Sequence, residues 1–477
     1  MPLPKAPSIL LAAVCLLLAL RALPAIAQDG EGFRKLGTKI VAEVQQDAIE
    51  YTFTANVVAL KPQIHVEWAA SSPIATTGNR MIGAAALATS HNYCECYQRR
   101  EWRFSSEQTV IWLSREVLDA LLTRGETPFS FNEVRNSLTE TILRFLRRDR
   151  FELEINGAPA SLPAIVAVTG NGTEFWIHDH VDDPLVLAVN GSWSSRVTAI
   201  LTRATDRIGT WTSVNGRKLH YLDRGTGNPV FVLHGGPGME FNYFLPYLDD
   251  LEANARLIYV DQPGHGLSER FPPNEAYTVS GAVAALERLR ETLGLETITL
   301  LGHSYGGMVS QLYALAHPDR VAGLILVDTL ATPEWIDDVR QNFQRYGNAE
   351  QRNPPRGLSV EEHLRIYFPL YFWPEDRAAS NAFLDRAILS EEPRRQLNAT
   401  REFRNFDMRG DLSRITAPTL VLVGERDLIT TPAQARILHE GIAGSHLYVF
   451  PETGHNPFVE EPDEFARVVA TFLAELN

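Results

Sequence analysis

Cysteine is scarce in this sequence: three residues among 477, with Cys15 inside an N-terminal apolar stretch and only Cys94 and Cys96 beyond it. So few cannot build the disulfide framework of a small secreted domain, and a chain of this length buries enough surface to do without one. Long apolar runs are missing beyond the first 27 residues, which excludes a bundle of membrane-spanning helices. Basic residues are in the minority, 44 Lys and Arg against 58 Asp and Glu, for a formal net charge of -14. Phosphate backbones are bound by clustered cations, so nucleic acid is not an expected partner.

What is present begins with an address. Lys5, an apolar core from Ile9 to Leu20 and the small-residue site Ala25-Ile26-Ala27 read as a signal peptide over residues 1–27, and Arg21 interrupts the run where a spanning helix would continue. The expectation is export to the periplasm or beyond, with no stable membrane insertion after cleavage. An uncleaved anchor is the competing reading; Val14 before Cys15 disfavours a lipoprotein. Cys94 and Cys96, one residue apart, would share a face of a strand. With only His91 nearby, a structural or intermolecular thiol role is preferred to zinc.

At this length two domains follow the signal, at 28–206 and 207–477. The first is expected to be a smaller α+β accessory domain. Glu50 to Leu60, Ile64 to Ala69 and Phe151 to Ile155 have strand composition, whereas Ser114 to Arg124 and Val134 to Arg148 carry apolar residues at helical spacing, the latter at Val134, Leu138, Ile142, Phe145 and Leu146. His178, Asp179, His180, Asp182 and Asp183 are read as a solvated loop in preference to a metal site. The second domain alternates short apolar runs with helical stretches. Val230 to Leu233, Leu257 to Val260, Ile298 to Leu301, Leu324 to Val327 and Thr419 to Val423 suit strands buried on both faces of a mostly parallel, doubly wound α/β sheet. About ninety residues separate Asp328 from Thr419, too many for a simple connection, and are expected to form a helical lid over about 330–415. Its aromatics Tyr367, Phe368, Tyr371, Phe372 and Trp373 are expected mostly to pack the lid, with one or two facing a substrate cleft.

Gly302-His303-Ser304-Tyr305-Gly306-Gly307 follows a strand and opens a helix, the context of a nucleophile elbow. A serine hydroxyl needs a base to take its proton, and the chain supplies His455 after the run Leu447 to Phe450, with Asp427 after Thr419 to Val423 to orient it. The order Ser, acid, His is that of the α/β-hydrolase fold. Asp328 is the competing acid and Glu425 a weaker one. Gly236 in His234-Gly235-Gly236-Pro237-Gly238 and Tyr305 are the candidate main-chain donors to an oxyanion. No metal and no cofactor is implied.

His234 to Gly238, Asp261-Gln262-Pro263-Gly264-His265-Gly266-Leu267-Ser268 and Gly302 to Gly307 together resemble the prolyl iminopeptidase family of serine peptidases, which includes tricorn-interacting aminopeptidases. The resemblance covers about 208–477. It implies removal of N-terminal residues from short peptides, with Ser304, Asp427 and His455 as triad, Gly236 and Tyr305 as oxyanion donors, and lid carboxylates holding the substrate amine. Gly235, Glu334 and Tyr371 are the substrate-binding candidates. The amine anchors do not transfer onto definite positions among Glu334, Asp337, Asp338, Glu361 and Glu402, and Leu428 stands where an acid is expected. A carboxylesterase or lactonase of the same fold is the alternative for a small peptide or ester substrate, and a non-catalytic exported binding protein the alternative of another class.

Overall fold

The computed structural model describes residues 32–95, 102–134, 137–272 and 275–476. The signal peptide expected at 1–27, with Cys15, and also Cys96, lie outside them. No described helix is long and apolar enough to cross a membrane. The chain divides into two compact units, and the division differs from a single cut near 206: residues 51–81 group with 203–477.

The first unit is β-rich. Its sheet runs in the order Asn92–Tyr93, Glu126–Val134, Ser137–Ile155, Ala158–Thr169, Glu174–His178, Val186–Asn190, Trp193–Leu201, Lys39–Gln46, and the far end of Ser137–Ile155 also pairs in parallel with Trp193–Leu201. The helix expected from Ser114 is present as Arg115–Arg124, its first turn capped by the Ser114 hydroxyl, and packs Leu118 and Leu121 against Phe129, Phe131 and Phe175. The helix expected over 134–148 is instead part of the 19-residue strand Ser137–Ile155. Its Thr, Ile, Phe and Leu residues fit the pleat as well as a helix, and pairing on both sides decides for strand; Ile142 and Leu146, needed for a helical apolar stripe, are exposed. The His178 to Asp183 cluster is solvated only in part: Asp182 is exposed and meets Arg115, and Asp179 meets Arg148 at 2.8 Å, but His178, which ends the strand Glu174–His178, and Asp183 are buried, the latter because its side chain accepts the Phe33 amide. Cys94 is disulfide-bonded.

From residue 203 onward the second unit is built on one eight-stranded sheet: β1 (Thr210–Val214), β2 (Arg217–Gly225), β3 (Pro229–Leu233), β4 (Arg256–Val260), β5 (Ile298–His303), β6 (Val321–Val327), β7 (Thr419–Gly424) and β8 (His446–Phe450). Their order in the sheet is β1-β2-β4-β3-β5-β6-β7-β8. The β1–β2 hairpin turns at Asn215-Gly216, both at positive φ, and β2 meets β4 antiparallel; every later pairing is parallel. β3, β5 and β7 have few polar side chains because helices cover both faces, Val279–Thr292, Tyr305–Ala316 and Pro432–Gly441 over one apolar cluster and Pro462–Glu475 over the other. Between β6 and β7 the helices Trp335–Tyr346, Ala349–Arg352, Val360–Tyr367, Arg377–Arg386 and Glu391–Ala399 form the lid. Residues from 51–81 are fastened to this unit by Arg270 Nε donating to Glu67 at 2.7 Å and by the Ser72 amide donating to Glu362 at 2.9 Å.

Candidate active site

The parallel sheet brings the ends of β3, β5, β6 and β7 together, and the loops that leave those ends carry the polar groups of one cavity. Ser304, directly after β5, has φ 53° and ψ −117°, a strained conformation for a residue with a β-carbon. The turn closes only because its neighbours are small: a β-carbon on Gly302 would stand 2.4 Å from Ser310 Oγ, and one on Gly306 2.2 Å from the Leu233 carbonyl. The strain lifts Ser304 out of the sheet at the mouth of helix Tyr305–Ala316, where it is half-buried.

The loops after β7 and β8 supply the second part. Asp427 Oδ2 accepts from His455 Nδ1 at 2.9 Å, and both side chains are buried. Asp427 also receives the amides of Ile429 at 2.7 Å and Thr430 at 3.1 Å and the Thr430 hydroxyl at 2.8 Å. Burial works to raise this carboxyl, but the His455 charge and these donated bonds outweigh it and hold it below the usual carboxylate range. Nδ1 of His455 is thus fixed as a donor, and Nε2 has no partner among the described residues. His455 and Ser304 line the same cavity, with no hydrogen bond between their side chains, a looseness common in catalytic pairs before substrate binds.

The competing acids fall elsewhere. Asp328 lies behind Asp427 and accepts from the Gly424 amide at 2.9 Å; burial, then the Asp427 charge, pushes its carboxyl well above the usual range. Glu425 is exposed. One ligand atom each from Asp328, Asp427 and His455 lies within 4.8 Å of the others, but Asp427 and His455 are spent on each other and Asp328 favours its neutral form, so the trio is a poor cation site.

The loop after β3 faces Ser304. Gly236 sits at φ 119°, and neither its amide nor that of Tyr305 at the first helical position donates to another described group. Gly235 also lines the cavity, but its amide donates to Tyr243 Oη at 2.5 Å. That hydroxyl in turn bonds His303 Nδ1 at 2.7 Å, and His303 Nε2 donates to the His455 carbonyl at 2.9 Å. Burial, then His455, holds His303 well below its ordinary value, which matches a neutral ring that accepts at one nitrogen and donates at the other. Tyr243 and His303 therefore tie the β3 loop to the His455 loop. Sequence reading missed this role, although His303 stands inside the motif.

Of the other substrate-binding candidates, Tyr371 lines the cavity, its ring edge-on to His455 with centroids 5.2 Å apart. Glu334 does not: it is exposed and meets Arg409 at 3.1 Å, because a free carboxylate at a helix start finds a cation and solvent more readily than an apolar wall. The remaining lid acids are also engaged elsewhere: Asp337 with Arg340, Asp338 with Thr431, Glu361 with Arg365, and Glu402 with the amides of Val279 and Ser280. Among the described residues, no Asp or Glu lines the cavity. Of the lid aromatics singled out in the sequence, Phe368 and Tyr371 do, and Trp335, Phe383 and Phe403 of the lid line it as well.

Strand order, elbow and lid define an α/β-hydrolase. A family model described as the alpha/beta hydrolase fold matches residues 228–462. The proline iminopeptidase of Lactobacillus acidophilus is 31% identical over 285 residues, covering 54% of this chain and 95% of that protein. That of Saccharolobus solfataricus is 28% identical over 281 residues, covering 54% and 88%. Among solved structures, the proline iminopeptidase of Mycobacterium smegmatis matches 56% of this chain and 98% of its own, at 25% identity and a TM-score of 0.46. The chain belongs to the α/β-hydrolases of the prolyl iminopeptidase type, and is a hydrolase.

Proposed function

We propose that this protein is an exported serine hydrolase that works through an acyl-enzyme. Ser304 attacks the substrate carbonyl while His455 Nε2 takes the hydroxyl proton; Asp427 holds the ring and stabilises the imidazolium. The amides of Gly236 and Tyr305 receive the developing oxyanion. The imidazolium then protonates the leaving group, and water, deprotonated by the same nitrogen, releases the acyl group. One observation carries this reading: a histidine fixed by a buried carboxylate opens its other nitrogen onto the cavity that holds a serine on a strained turn.

Likeness to the proline iminopeptidases supports an aminopeptidase of that type acting on short peptides. A specific observation favours a carboxylesterase or lactonase instead: a free amine needs a carboxylate, and none among the described residues lines the cavity. Export is supported by the N-terminal pattern of residues 1–27 and by the disulfide at Cys94, which suits an oxidising compartment.

Purified full chain is expected to react with a fluorophosphonate and to turn over a short acyl ester, with Ser304→Ala losing both. Proline and alanine arylamides run beside the ester separate the substrate classes: amide cleavage at comparable efficiency rejects the esterase reading, and its absence rejects the aminopeptidase. A folded chain inert to probe and substrates would be a binding protein.

A further inference from the structure

Among the described residues that line the cavity, which include no carboxylate, one is a permanent cation. Arg394, on the lid helix Glu391–Ala399, lines the cavity together with Ser304, His455 and Tyr371. A guanidinium cannot shed its proton to escape burial, so it is normally paired when water is withdrawn. Here no side chain among the described residues accepts a hydrogen bond from it or stands within ion-pair distance of it, and Glu391, which does not line the cavity, acts on it only through space. Its neighbours on the helix differ: Arg395 is paired with Glu392.

Arg394 is also held in place. The Ser390 amide donates to the Gly238 carbonyl at 2.8 Å, and a β-carbon on Gly238, at φ 98°, would stand 2.6 Å from Arg394 Cβ. The last glycine of the β3 loop therefore lets the start of the lid helix seat against the loop that carries Gly236. Asn398, one turn further along, lines the same wall and fixes the helix by donating to the Arg394 carbonyl at 2.8 Å.

We infer that Arg394 is a specificity residue that receives a carboxylate on the substrate, so that this site selects anionic acyl compounds. The inference rests on the serine-hydrolase reading above and names its substrate class. The carboxylate would stand either on the acyl part, as in the half-ester of a short dicarboxylic acid, or on the leaving group, as in a short peptide with a free C-terminus. An anion brought there supplies the counter-charge that the cavity wall lacks, with bidentate geometry suited to a guanidinium.

The test compares 4-nitrophenyl butyrate with 4-nitrophenyl hemisuccinate and hemiglutarate, and alanine 4-nitroanilide with alanine 4-carboxyanilide, on the full chain and on Arg394→Gln and Arg394→Lys. In one arm the wild type is expected to favour the carboxylate-bearing substrate by about tenfold or more in kcat/KM, mostly through KM. Arg394→Gln should abolish that ratio, Arg394→Lys should restore part of it, and added salt should shrink it. The arm that responds identifies where the carboxylate sits. Calorimetric binding of the same esters to Ser304→Ala reads recognition without chemistry. No preference in the wild type, or a preference that survives Arg394→Gln, overturns the inference and leaves the hydrolase standing. Selective binding to Ser304→Ala, with no turnover by the wild type, would do the reverse.

Discussion

Among its described residues, the hydrolase unit contains two buried aspartate–histidine pairs. Asp427 meets His455 at 2.9 Å, and Asp261 meets His220 at 2.7 Å, all four side chains being shut from solvent. By residue type, distance and burial they are near twins. They part at the second ring nitrogen. His220 Nε2 is bonded to the Ile208 carbonyl, whereas His455 Nε2 is unengaged and its ring borders the cavity. Asp261 is likewise spent on structure, accepting from Leu267 at 2.8 Å and Phe241 at 3.1 Å. Gly266 at φ 51° lets the loop wrap closely around it, since a β-carbon there would lie 2.2 Å from Asp261 Oδ2. An acid–histidine pair is a device for fixing an imidazole; what the fixed ring faces decides whether it braces a loop or moves a proton.

The sharpest way to test that contrast is at the serine both readings need. Ser304→Ala is expected to lower kcat on a short acyl ester by about a million-fold with folding intact, measured by steady-state turnover beside circular dichroism. Asp427→Asn should lower kcat by about ten-thousand-fold by disturbing the His455 tautomer. Asp261→Asn should instead act on stability, costing about 3–5 kcal/mol in urea unfolding, with the turnover of folded molecules largely retained. A large kcat loss at Asp261, or none at Asp427, would break the distinction.

The acid limb of stability sharpens it further. Burial would raise Asp261, but His220 and then His234 outweigh this and hold its carboxyl at about 2. Its folded value is depressed, so its contribution is complete above about pH 4, its unfolded range, and is lost as the pH falls through about 2. Asp261→Asn should flatten the stability profile across that window, followed by urea midpoints at each pH. The smallest effect is expected at Tyr243→Phe, which leaves the Gly235 amide and His303 Nδ1 without their shared partner and should cost about 1–3 kcal/mol.

Much of this was legible beforehand, for identifiable reasons. Strands β3 to β7 are covered on both faces and so read as continuous apolar runs, and a strand-to-helix turn around Ser304 admits few residues besides glycine. The strand at Ser137–Ile155 was not, because its residues satisfy helical and pleated spacing alike and only its two partner strands choose between them. Nor could residue order announce that 51–81 groups with the later unit, since Glu67 and Arg270 are far apart along the chain. Arg394 sits in Glu391-Glu392-Pro393-Arg394-Arg395-Gln396, which reads as a solvated helix; which of two adjacent arginines turns inward is a matter of rotation. Glu334 shows the converse, a plausible anchor that the lid leaves in solvent.

The short stretch Tyr371 to Trp373 is sewn to the histidine loop through main-chain atoms. The Tyr371 carbonyl takes the His455 amide at 2.8 Å and the Asn456 side chain at 3.1 Å, while the Trp373 amide donates to Glu460 at 2.7 Å. Glu460 receives the Gly454 and Asn456 amides as well, so one carboxylate gathers both strips of backbone. This edge of the cover is thus fixed to the loop that carries the imidazole. Altering the Tyr371 ring would therefore reshape the doorway without unfastening the seam.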